Sequence, residues 1–279
     1  MSYQYVNRQR YRLMPEAKID VRLSEDVVIS EEPLNIVLHW TCPDTHEALE
    51  KNFMVTMRTP GQDVFLVIGL LLSYGIIKNY QQIQAIHQEE HNQCDVILSQ
   101  DVELDWKTLT RQFVSHSSCG ICGANDVKKL AHTFHQPLDC SKQWLPIESV
   151  LTLPSLLRQM QSLFSATGGV HSAGIFTLDK CLTSHEDVGR HNAVDKVLGE
   201  LVTKDLLGKQ VILMLSGRVS FELMQKAVAA NIAVVAAIGA PSNLAISVAK
   251  QFNITLIGFV SDQACNVYHG DFRLININR

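Results

Sequence analysis

The last third of the chain alternates apolar strands with helices, and this alternation constrains the fold more than any other feature. The predicted strands are at 211–215, 233–238 and 255–260, with helices at 221–230 and 244–252 between them. Strands that are apolar throughout and are separated by helices are typical of a parallel sheet covered on both faces. The sequence therefore predicts an α/β protein with a mainly parallel sheet covered by helices.

The whole chain divides into two regions. Residues 1–115 have the pattern of a smaller α+β part, with short strands at 21–29, 34–39 and 94–99 and an apolar helix from about 59 to 80. Residues 116–279 hold the regular alternation. It is preceded by a helix that begins near Pro154, a strand at 173–178 and a helix at 192–207. We therefore expect two domains with a boundary near residue 115.

The composition limits the classes of function open to this chain. Its 279 residues are 46% hydrophobic and 19% charged, as in a globular protein rather than a disordered one. A net charge of −4 gives no general attraction to nucleic acid or to an anionic membrane. No apolar run approaches the roughly 20 residues of a membrane span, and no apolar segment follows the polar N-terminus. We therefore expect a cytoplasmic protein without a nucleic-acid or membrane partner.

Small polar residues follow each of the three predicted parallel strands. Ser216, Gly217 and Arg218 follow the first strand, Gly239 and Ser242 the second, and segment 259–264 the third. In open parallel sheets ligands bind beyond the carboxyl ends of the strands, where helix N-termini favour phosphate or carboxylate groups. A tight strand-to-helix turn explains any single one of these sequences equally well. Three such turns on one edge, one of them with an arginine, favour a ligand site.

Two cysteines stand apart from the other five. Cys119 and Cys122 lie in the segment CGICG, just before a helix predicted near Asn125. Unpaired N–H groups at a helix N-terminus favour the thiolate, which is the reactive form of cysteine. The spacing alone is compatible with a metal site, a reversible disulfide, a persulfide carrier or a buried structural pair. The odd total of seven cysteines, otherwise scattered, indicates a reducing compartment rather than a disulfide framework.

Two further segments combine glycine with charged and imidazole side chains. In EDVGRHN at 186–192, Asp187 or Asn192 is expected to cap the helix that follows, and Arg190, next to His191, is expected to bind an anion. In TGGVHS at 167–172, His171 alone is a weak signal. A solvated surface loop is the alternative for the first segment, but its central glycine favours a shaped binding loop.

Together these segments resemble the FdhD family, the formate dehydrogenase accessory sulfurtransferases. In chain order they are CGICG, TGGVHSAG, EDVGRHNAVDKVLG, LSGRVSFELMQKA and GAPSNLAISVAKQFNITLIGF. The resemblance extends from about 59 to 268, and EDVGRHNAVDK and SGRVSFE are its specific parts. It implies a cytidine-deaminase-like α/β catalytic domain, and we also expect a homodimer.

The resemblance implies sulfur transfer from a cysteine desulfurase to molybdenum bis(molybdopterin guanine dinucleotide), which activates the formate dehydrogenase apoenzyme. Cys119 corresponds to the cysteine that carries the persulfide, and Cys122 assists it. The family's cofactor-binding segment aligns with Phe259, Val260, Ser261, Asp262, Gln263 and Ala264. The other residues expected to contact this cofactor, or GDP as its analogue, are Arg190, His191, Gly217, Arg218, Gly239 and Ser242. Tyr74 and Ser261 depart from the family pattern, which usually has glutamate and arginine at these places.

Two other functions remain open at this stage. A zinc hydrolase of the deaminase type needs an H-x-E segment followed by P-C-x-x-C. Here Ser118 precedes Cys119, and alanine stands where glutamate is needed after His171, so we expect no bound zinc. A non-enzymatic chaperone that binds the cofactor or the apoenzyme shares the ligand-binding features and differs only in a structural role for the two thiols.

Overall fold

Four sheets and six helices make up the part of the chain that the structure describes. The structure is a computed structural model, and it describes residues 2–15, 18–42, 45–88, 92–104, 106, 109, 138–139 and 142–275. The strands are β1 (Tyr3–Leu13), β2 (Ile19–Ile29), β3 (Glu32–Thr41), β4 (Ala48–Arg58), β5 (Ile83–His87), β6 (Gln93–Leu98), β7 (Leu145–Pro146), β8 (His171–Phe176), β9 (Cys181–Asp187), β10 (Ile212–Leu215), β11 (Val234–Ala237), β12 (Thr255–Gly258), β13 (Asn266–His269) and β14 (Leu274–Ile275). The helices are α1 (Asp63–Ser73), α2 (Ile147–Gln159), α3 (Ser162–Thr167), α4 (Arg190–Thr203), α5 (Phe221–Ala229) and α6 (Asn243–Phe252). None of the described helices is long and apolar enough to cross a membrane.

The central sheet has six strands in the order β13-β12-β11-β10-β8-β9. Its middle strands β10, β11 and β12 are parallel, as predicted, because α5 and α6 carry the chain back to the starting edge between them. The outer pairings are antiparallel. Strands β8 and β9 are joined by the short turn 177–180, which allows only an antiparallel pair. The predicted α/β class is confirmed, but the prediction of a mainly parallel sheet is wrong.

Both faces of the central sheet are buried. Leu213 and Leu215 of β10 point to the face covered by α1, α4, α5 and α6. Ile212 and Met214, the alternating residues, point to the opposite face, where α2 packs with Leu157 and its neighbours. Burial on both faces explains why the middle strands are apolar throughout.

A second, four-stranded sheet of order β4-β3-β6-β5 lies against α1. Helix α1 also packs against α4, so that residues of the N-terminal part and of the central sheet share one hydrophobic core. The predicted strand at 94–99 is confirmed as β6, and those at 21–29 and 34–39 are confirmed as β2 and β3. The proposed domain boundary at 115 lies outside the described residues and stays a prediction.

Helix α1 ends at Ser73, not near residue 80 as predicted. Gly75 adopts a left-handed conformation with φ of 70°. The N–H groups of Gly75 and Ile76 donate to the carbonyl oxygens of Leu72 and Leu71, which is the Schellman arrangement that terminates helices. The apolar sequence continues past this point because Ile76 and Ile77 are buried, and apolarity alone does not mark the end of a helix.

Pro154 lies inside α2 and not in its first turn, so the predicted start of that helix is wrong. Val150, Leu153 and Leu157 are buried at helical spacing against the central sheet. An internal proline removes one helical hydrogen bond and costs about 3 kcal/mol. Burial of three large side chains on both sides of the proline offsets that cost.

Candidate functional site

The edge of the central sheet where β10, β11 and β12 end carries a cleft of about 940 Å³. Antiparallel β8 begins at the same edge and β9 ends there, because His171 is paired with Asp187 and Ala173 with Leu215. Helices α2 and α3 form the other wall. The lining residues are Pro154, Ser155, Leu157, Arg158, Gln159, Gln161, Phe164, Gly168, Gly169, Val170, His171, Val188, Ser216, Ile238, Val260, Ser261 and Asp262.

The sequence prediction located the strand-end wall of this cleft but missed the helical wall. Ser216, Val260, Ser261 and Asp262 were expected at a ligand site, and all four line the cleft. Arg158 and the other residues of α2 were not expected there. No spacing signal links α2 to the sheet edge, because its position follows only from packing on the opposite face of the sheet.

The loop after β12 is held by its own backbone. The N–H of buried Val260, two residues past the end of β12, donates to the carbonyl of Ala237 at the end of β11. Ser261 accepts hydrogen bonds at Oγ from the N–H groups of Gln263 (3.4 Å) and Ala264 (3.1 Å). Ser261 therefore shapes this loop, and Asp262 holds it against α2 by accepting a hydrogen bond from Ser155 Oγ at 2.9 Å.

Phe259 begins this loop in an unusual conformation. Its φ is 52°, in the left-handed backbone region that residues other than glycine and asparagine rarely adopt. The residue is 52% exposed, so the core does not hold it in this conformation. Strained residues of this kind cluster at ligand sites, which fits the predicted binding role of the loop.

Gly217, Gly239 and Ser242, which were also predicted to bind the ligand, each have a structural role. The N–H of Gly239 donates to the carbonyl of Gly217 at 3.1 Å, and a Cβ atom on Gly239 would lie 2.8 Å from the backbone nitrogen of Arg218. Glycine thus lets the loops after β10 and β11 approach each other. Ser242 caps α6, accepting a hydrogen bond at Oγ from the N–H of Ala245 at 3.1 Å. Direct ligand contacts of these residues stay predictions.

Positive charge gathers around His171 in the cleft. Burial, followed by the charges of Arg190 and Arg218, lowers the pKa of His171 below its ordinary 6.5. The Nε of Arg190 is buried and has no hydrogen-bond partner among the described residues. An imidazole beside two guanidinium groups suits an anionic ligand.

The carboxylates of EDVGRHN hold the site together rather than line it. Asp187 is fully buried and accepts hydrogen bonds from Lys196 (2.7 Å), from the N–H of Thr59 (3.1 Å) and from Asn192 (3.1 Å). The N-cap of α4 is Gly189, which has no side chain, and its N–H donates to Asp187 Oδ1 at 2.9 Å. Neither predicted residue is therefore the N-cap itself. Asp187 accepts from the N-cap N–H but pairs mainly with Lys196 and Thr59, and the Asn192 side chain donates to Asp187 and to the carbonyl of Met57.

Glu186 has a capping role that the sequence did not reveal. Its two carboxylate oxygens accept hydrogen bonds from the N–H groups of Leu163 and Phe164, both at 2.8 Å. These N–H groups lie in the first turn of α3, where a negative charge is favourable. Glu186 therefore fixes the helix that forms one wall of the cleft.

His191 lies away from the cleft, on the opposite face of the central sheet. It lines a second cavity of about 310 Å³ between β4, α1, α4 and α5, together with Tyr74. The floor of this cavity carries a buried ion pair in which Lys226 Nζ is 2.6 Å from Asp195 Oδ2. Burial and then the charge of Asp195 raise the pKa of Tyr74 to about 12. The structure thus does not bring His191 together with Arg190, and its cofactor contact stays a prediction.

Cys119 and Cys122 lie outside the described residues. Of the described cysteines, Cys94 is buried, and burial, with Asp63 and Asp95 adding, raises its pKa to about 12. Burial also raises the pKa of Cys181 and of Cys265. These three thiols are protonated at neutral pH and are poor nucleophiles. Within the described ranges no three metal-ligating side chains form a cluster.

The fold and the site together define a class. The described chain is a mixed α/β protein with a cleft at the strand ends of its central sheet, lined by Arg158, His171 and Asp262 among apolar side chains. The chain belongs to the FdhD/NarQ family, whose sequence profile matches residues 29–275.

Relatives agree with this assignment, and a solved structure shares the fold. The chain is 36% identical to the sulfur carrier protein FdhD of Nocardia farcinica, over 97% of this chain and 95% of that protein. It is 38% identical to the protein of the same name from Sulfolobus acidocaldarius, over 88% and 90%. The solved structure of a proposed formate dehydrogenase accessory protein from Desulfotalea psychrophila has a TM-score of 0.73 at 20% identity, covering 97% of this chain and 99% of that one. The likeness to cytidine deaminases stays a prediction.

Proposed function

We propose that this protein is a sulfur carrier that passes sulfur from a cysteine desulfurase, through a persulfide on Cys119, to molybdenum bis(molybdopterin guanine dinucleotide). The product serves the formate dehydrogenase apoenzyme. The observation that carries the proposal is the match of nearly the whole chain to proteins named sulfur carrier protein FdhD. The cofactor is cargo here, a substrate that the protein modifies and hands on.

The cleft supports this choice of substrate. Its volume of about 940 Å³ lies at the upper end of the range of about 300–1,000 Å³ that is usual for ligand sites. Arg190 and Arg218, whose charges act on His171 of the cleft, supply the positive charge that the pyrophosphate of a guanine dinucleotide needs. The loop of residues 259–264 would receive the nucleotide end at the lip of the cleft.

Sulfur moves by thiol exchange in this proposal. The thiolate of Cys119 attacks the terminal sulfur of the desulfurase persulfide, a new S–S bond forms on Cys119, and the desulfurase cysteine leaves as a thiolate. Delivery of the terminal sulfur as sulfide needs two electrons, which the second thiol supplies: Cys122 attacks the Cys119 sulfur, the persulfide S–S bond breaks, a Cys119–Cys122 disulfide forms and the terminal sulfur leaves as sulfide for the cofactor. A dithiol reductant then restores both thiols. The raised pKa values of Cys94, Cys181 and Cys265 leave these three less suited to the same task.

Sulfur loading is tested by intact mass after incubation with a desulfurase and cysteine. We expect one added sulfur in the wild type and in Cys181→Ala, none in Cys119→Ala and a smaller loss in Cys122→Ala. Equal loading of the wild type and Cys119→Ala would contradict the assignment. A wild type that never loads sulfur but binds GDP would instead indicate a cofactor-binding chaperone.

Ligand binding is tested by titration calorimetry with GDP, which carries the guanine and two phosphates. Arg218→Ala removes a charge-assisted contact worth about 1.5–3 kcal/mol, so affinity should fall at least about tenfold. Lys209→Ala is the matched control, because Lys209 precedes β10 and so lies at the far edge of the sheet. Equal affinity of the wild type and Arg218→Ala would show that the nucleotide binds elsewhere.

A further inference from the structure

The helical wall of the cleft carries an arginine that two neighbouring side chains hold in place. Arg158, in the last turn of α2, lines the cleft and lies over the ring of Phe164 in α3, with its guanidinium carbon 4.3 Å from the ring centroid. Its Nη1 donates to Oε1 of buried Gln161 at 3.3 Å. A guanidinium stacked on an aromatic ring presents the N–H groups of its planar fork at its edge. Arg158 is therefore oriented before any ligand binds.

A carboxylate lies on the same side of the cleft, close to Arg158. Asp262 lines the cleft from the loop after β12 and accepts a hydrogen bond at Oδ1 from Ser155 Oγ at 2.9 Å. Ser155 lies one helical turn before Arg158 in α2, so their side chains share one face of the helix, with Cβ atoms about 5–6 Å apart. This wall therefore presents a fork that only donates hydrogen bonds beside a carboxylate that only accepts them.

The mixed charge of this wall does not suit a phosphate group. A phosphate bound to Arg158 would lie near the negative charge of Asp262, and the repulsion between them would offset much of the attraction. On the sheet side of the cleft, by contrast, the charges of Arg190 and Arg218 both act on His171. The phosphates of a nucleotide therefore fit the sheet side, and the helical wall fits an uncharged part of the ligand that has both donors and acceptors.

Guanine carries the complementary pattern of hydrogen-bonding groups. Its O6 and N7 atoms are acceptors on one edge, and they match the fork of an arginine better than any other side chain. Its N1–H and N2–H groups are donors on the adjoining edge, and they match a carboxylate. Adenine has an amino donor in place of O6 and no donor at N1 or at C2. It therefore mismatches both Arg158 and Asp262.

We propose that the helical wall reads the base of the bound nucleotide, with Arg158 donating to O6 and N7 of guanine and Asp262 accepting from N1–H and N2–H. Phe164, Gln161 and Ser155 are positioning residues, because the ring and the amide hold the guanidinium and the hydroxyl holds the carboxylate. The cleft thereby selects guanine nucleotides against adenine nucleotides. The inference rests on the proposed function, since it names the part of the guanine dinucleotide that the cleft selects.

The first test compares diphosphates that differ only in the base, by titration calorimetry on the full chain. The wild type should bind GDP at least about tenfold more tightly than ADP, and more tightly than 7-deaza-GDP, which lacks the N7 acceptor. Arg158→Lys keeps the charge but loses the fork, so it should bind GDP and 7-deaza-GDP equally and lose most of the preference over ADP. Arg22→Lys is the matched control, because Arg22 pairs with Asp20 on the surface of β2. It should keep both preferences.

The second test changes the carboxylate. Asparagine offers one acceptor and one donor where aspartate offers two acceptors, and this pair matches N1–H and the C2 carbonyl of xanthine. Asp262→Asn should therefore bind xanthosine diphosphate more tightly than GDP, whereas the wild type should prefer GDP. Asp179→Asn is the control, because Asp179 is exposed in the turn after β8, at the far edge of the sheet. It should bind like the wild type. Ser155→Ala should reduce the preference for GDP in part.

The outcomes separate this inference from the proposed function. Equal affinity of the wild type for GDP and ADP would overturn the reading of the base and leave nucleotide binding intact. An unchanged preference for GDP in Arg158→Lys or in Asp262→Asn would overturn it as well, and so would a loss of GDP and ADP affinity by the same factor in Arg158→Lys. A wild type that binds neither nucleotide would overturn both the inference and the choice of cargo. Urea unfolding checks that each variant retains the fold, and the wild-type comparisons need no variant.

Discussion

Gly199 of α4 lies directly against the backbone of Phe65 in α1: a Cβ atom on Gly199 would be 1.9 Å from the Phe65 carbonyl oxygen. The contact is reciprocal, since a Cβ atom on Gly69 would be 1.9 Å from the carbonyl oxygen of Asp195. Gly199 thus faces Phe65, one helical turn before Gly69, and Gly69 faces Asp195, one turn before Gly199. This symmetric pair of contacts lets the two helices touch along their backbones. This contact joins the N-terminal part to the helix that carries Arg190.

Gly199→Ala should destabilise the protein by at least about 2–3 kcal/mol, because the helices must separate and their core neighbours follow. The roughly 1 kcal/mol of helix propensity that alanine adds does not offset this loss. Urea unfolding measures the change. Gly169→Ala is the control, since its nearest atom is at an ordinary 3.4 Å. Equal stability of the two variants would mean that the helices are not in backbone contact.

Lys196→Met should cost about 3–5 kcal/mol, because it leaves the buried carboxylate of Asp187 without its counter-charge. Lys204→Met is a matched change at the C-cap of the same helix, where the Lys204–Glu200 pair is partly exposed and worth under about 1 kcal/mol. Chemical denaturation compares the two. A small effect at Lys196 would show that water reaches Asp187.

Glu186→Ala should loosen α3 by about 1–2 kcal/mol, the usual cost of a lost cap, while the rest of the fold stays intact. Hydrogen exchange at the amides of Leu163 and Phe164 measures this locally. Glu148→Ala, in the first turn of α2, is the control. Unchanged protection of both amides would contradict the capping role.

GDP affinity should rise as the pH falls below 7, through His171. Burial and the two arginines lower the pKa of the free imidazole, so it is neutral at pH 7. A bound phosphate favours the imidazolium and raises this pKa, so binding takes up a proton between the two values and levels off below both. The terminal phosphate of GDP itself titrates near pH 6, so the measure is the difference between the wild type and His171→Gln. Parallel pH profiles of the two proteins would exclude His171 from the site.

The periodic part of the sequence predicted the fold well because its signals are local. Strands β10 to β12 and helices α4 to α6 each bury a regular set of apolar side chains, and their bounds were predicted within a few residues. The direction of β8 and β9 depends on a short turn, and the end of α1 on one glycine conformation. The pattern of apolar residues predicts neither the strand direction nor the helix end.

The site was predicted only where it follows the strand-end rule. Ser216 and segment 260–262 obey that rule and line the cleft. Asp187 and Asn192 were recognised as important, but their partners Thr59 and Met57 are more than 120 residues away in sequence. Sequence motifs cannot distinguish a buried polar residue that stabilises the fold from one that contacts a ligand when its hydrogen-bond partner is so distant in sequence. Neighbouring residues on a helix point about 100° apart. Arg190 and His191 are adjacent in sequence, yet the charge of Arg190 acts on His171 in the cleft, whereas His191 lines the second cavity.

Phe259→Gly should separate stability from binding. Glycine adopts the left-handed conformation without strain, so the change should stabilise the fold by up to about 1 kcal/mol, since the exposed ring contributes little to the core. Asp205→Gly is the control, because Asp205 is exposed and has a φ of 53° far from the cleft lining. Thermal unfolding should show a gain in both variants, whereas calorimetry should show weaker GDP binding only in Phe259→Gly. Such a result would mean that the strained backbone is kept for binding, because it places the Phe259 ring at the lip of the cleft, where the ring can stack on the guanine base. Unchanged GDP affinity in Phe259→Gly would leave the left-handed conformation as a feature of the loop alone.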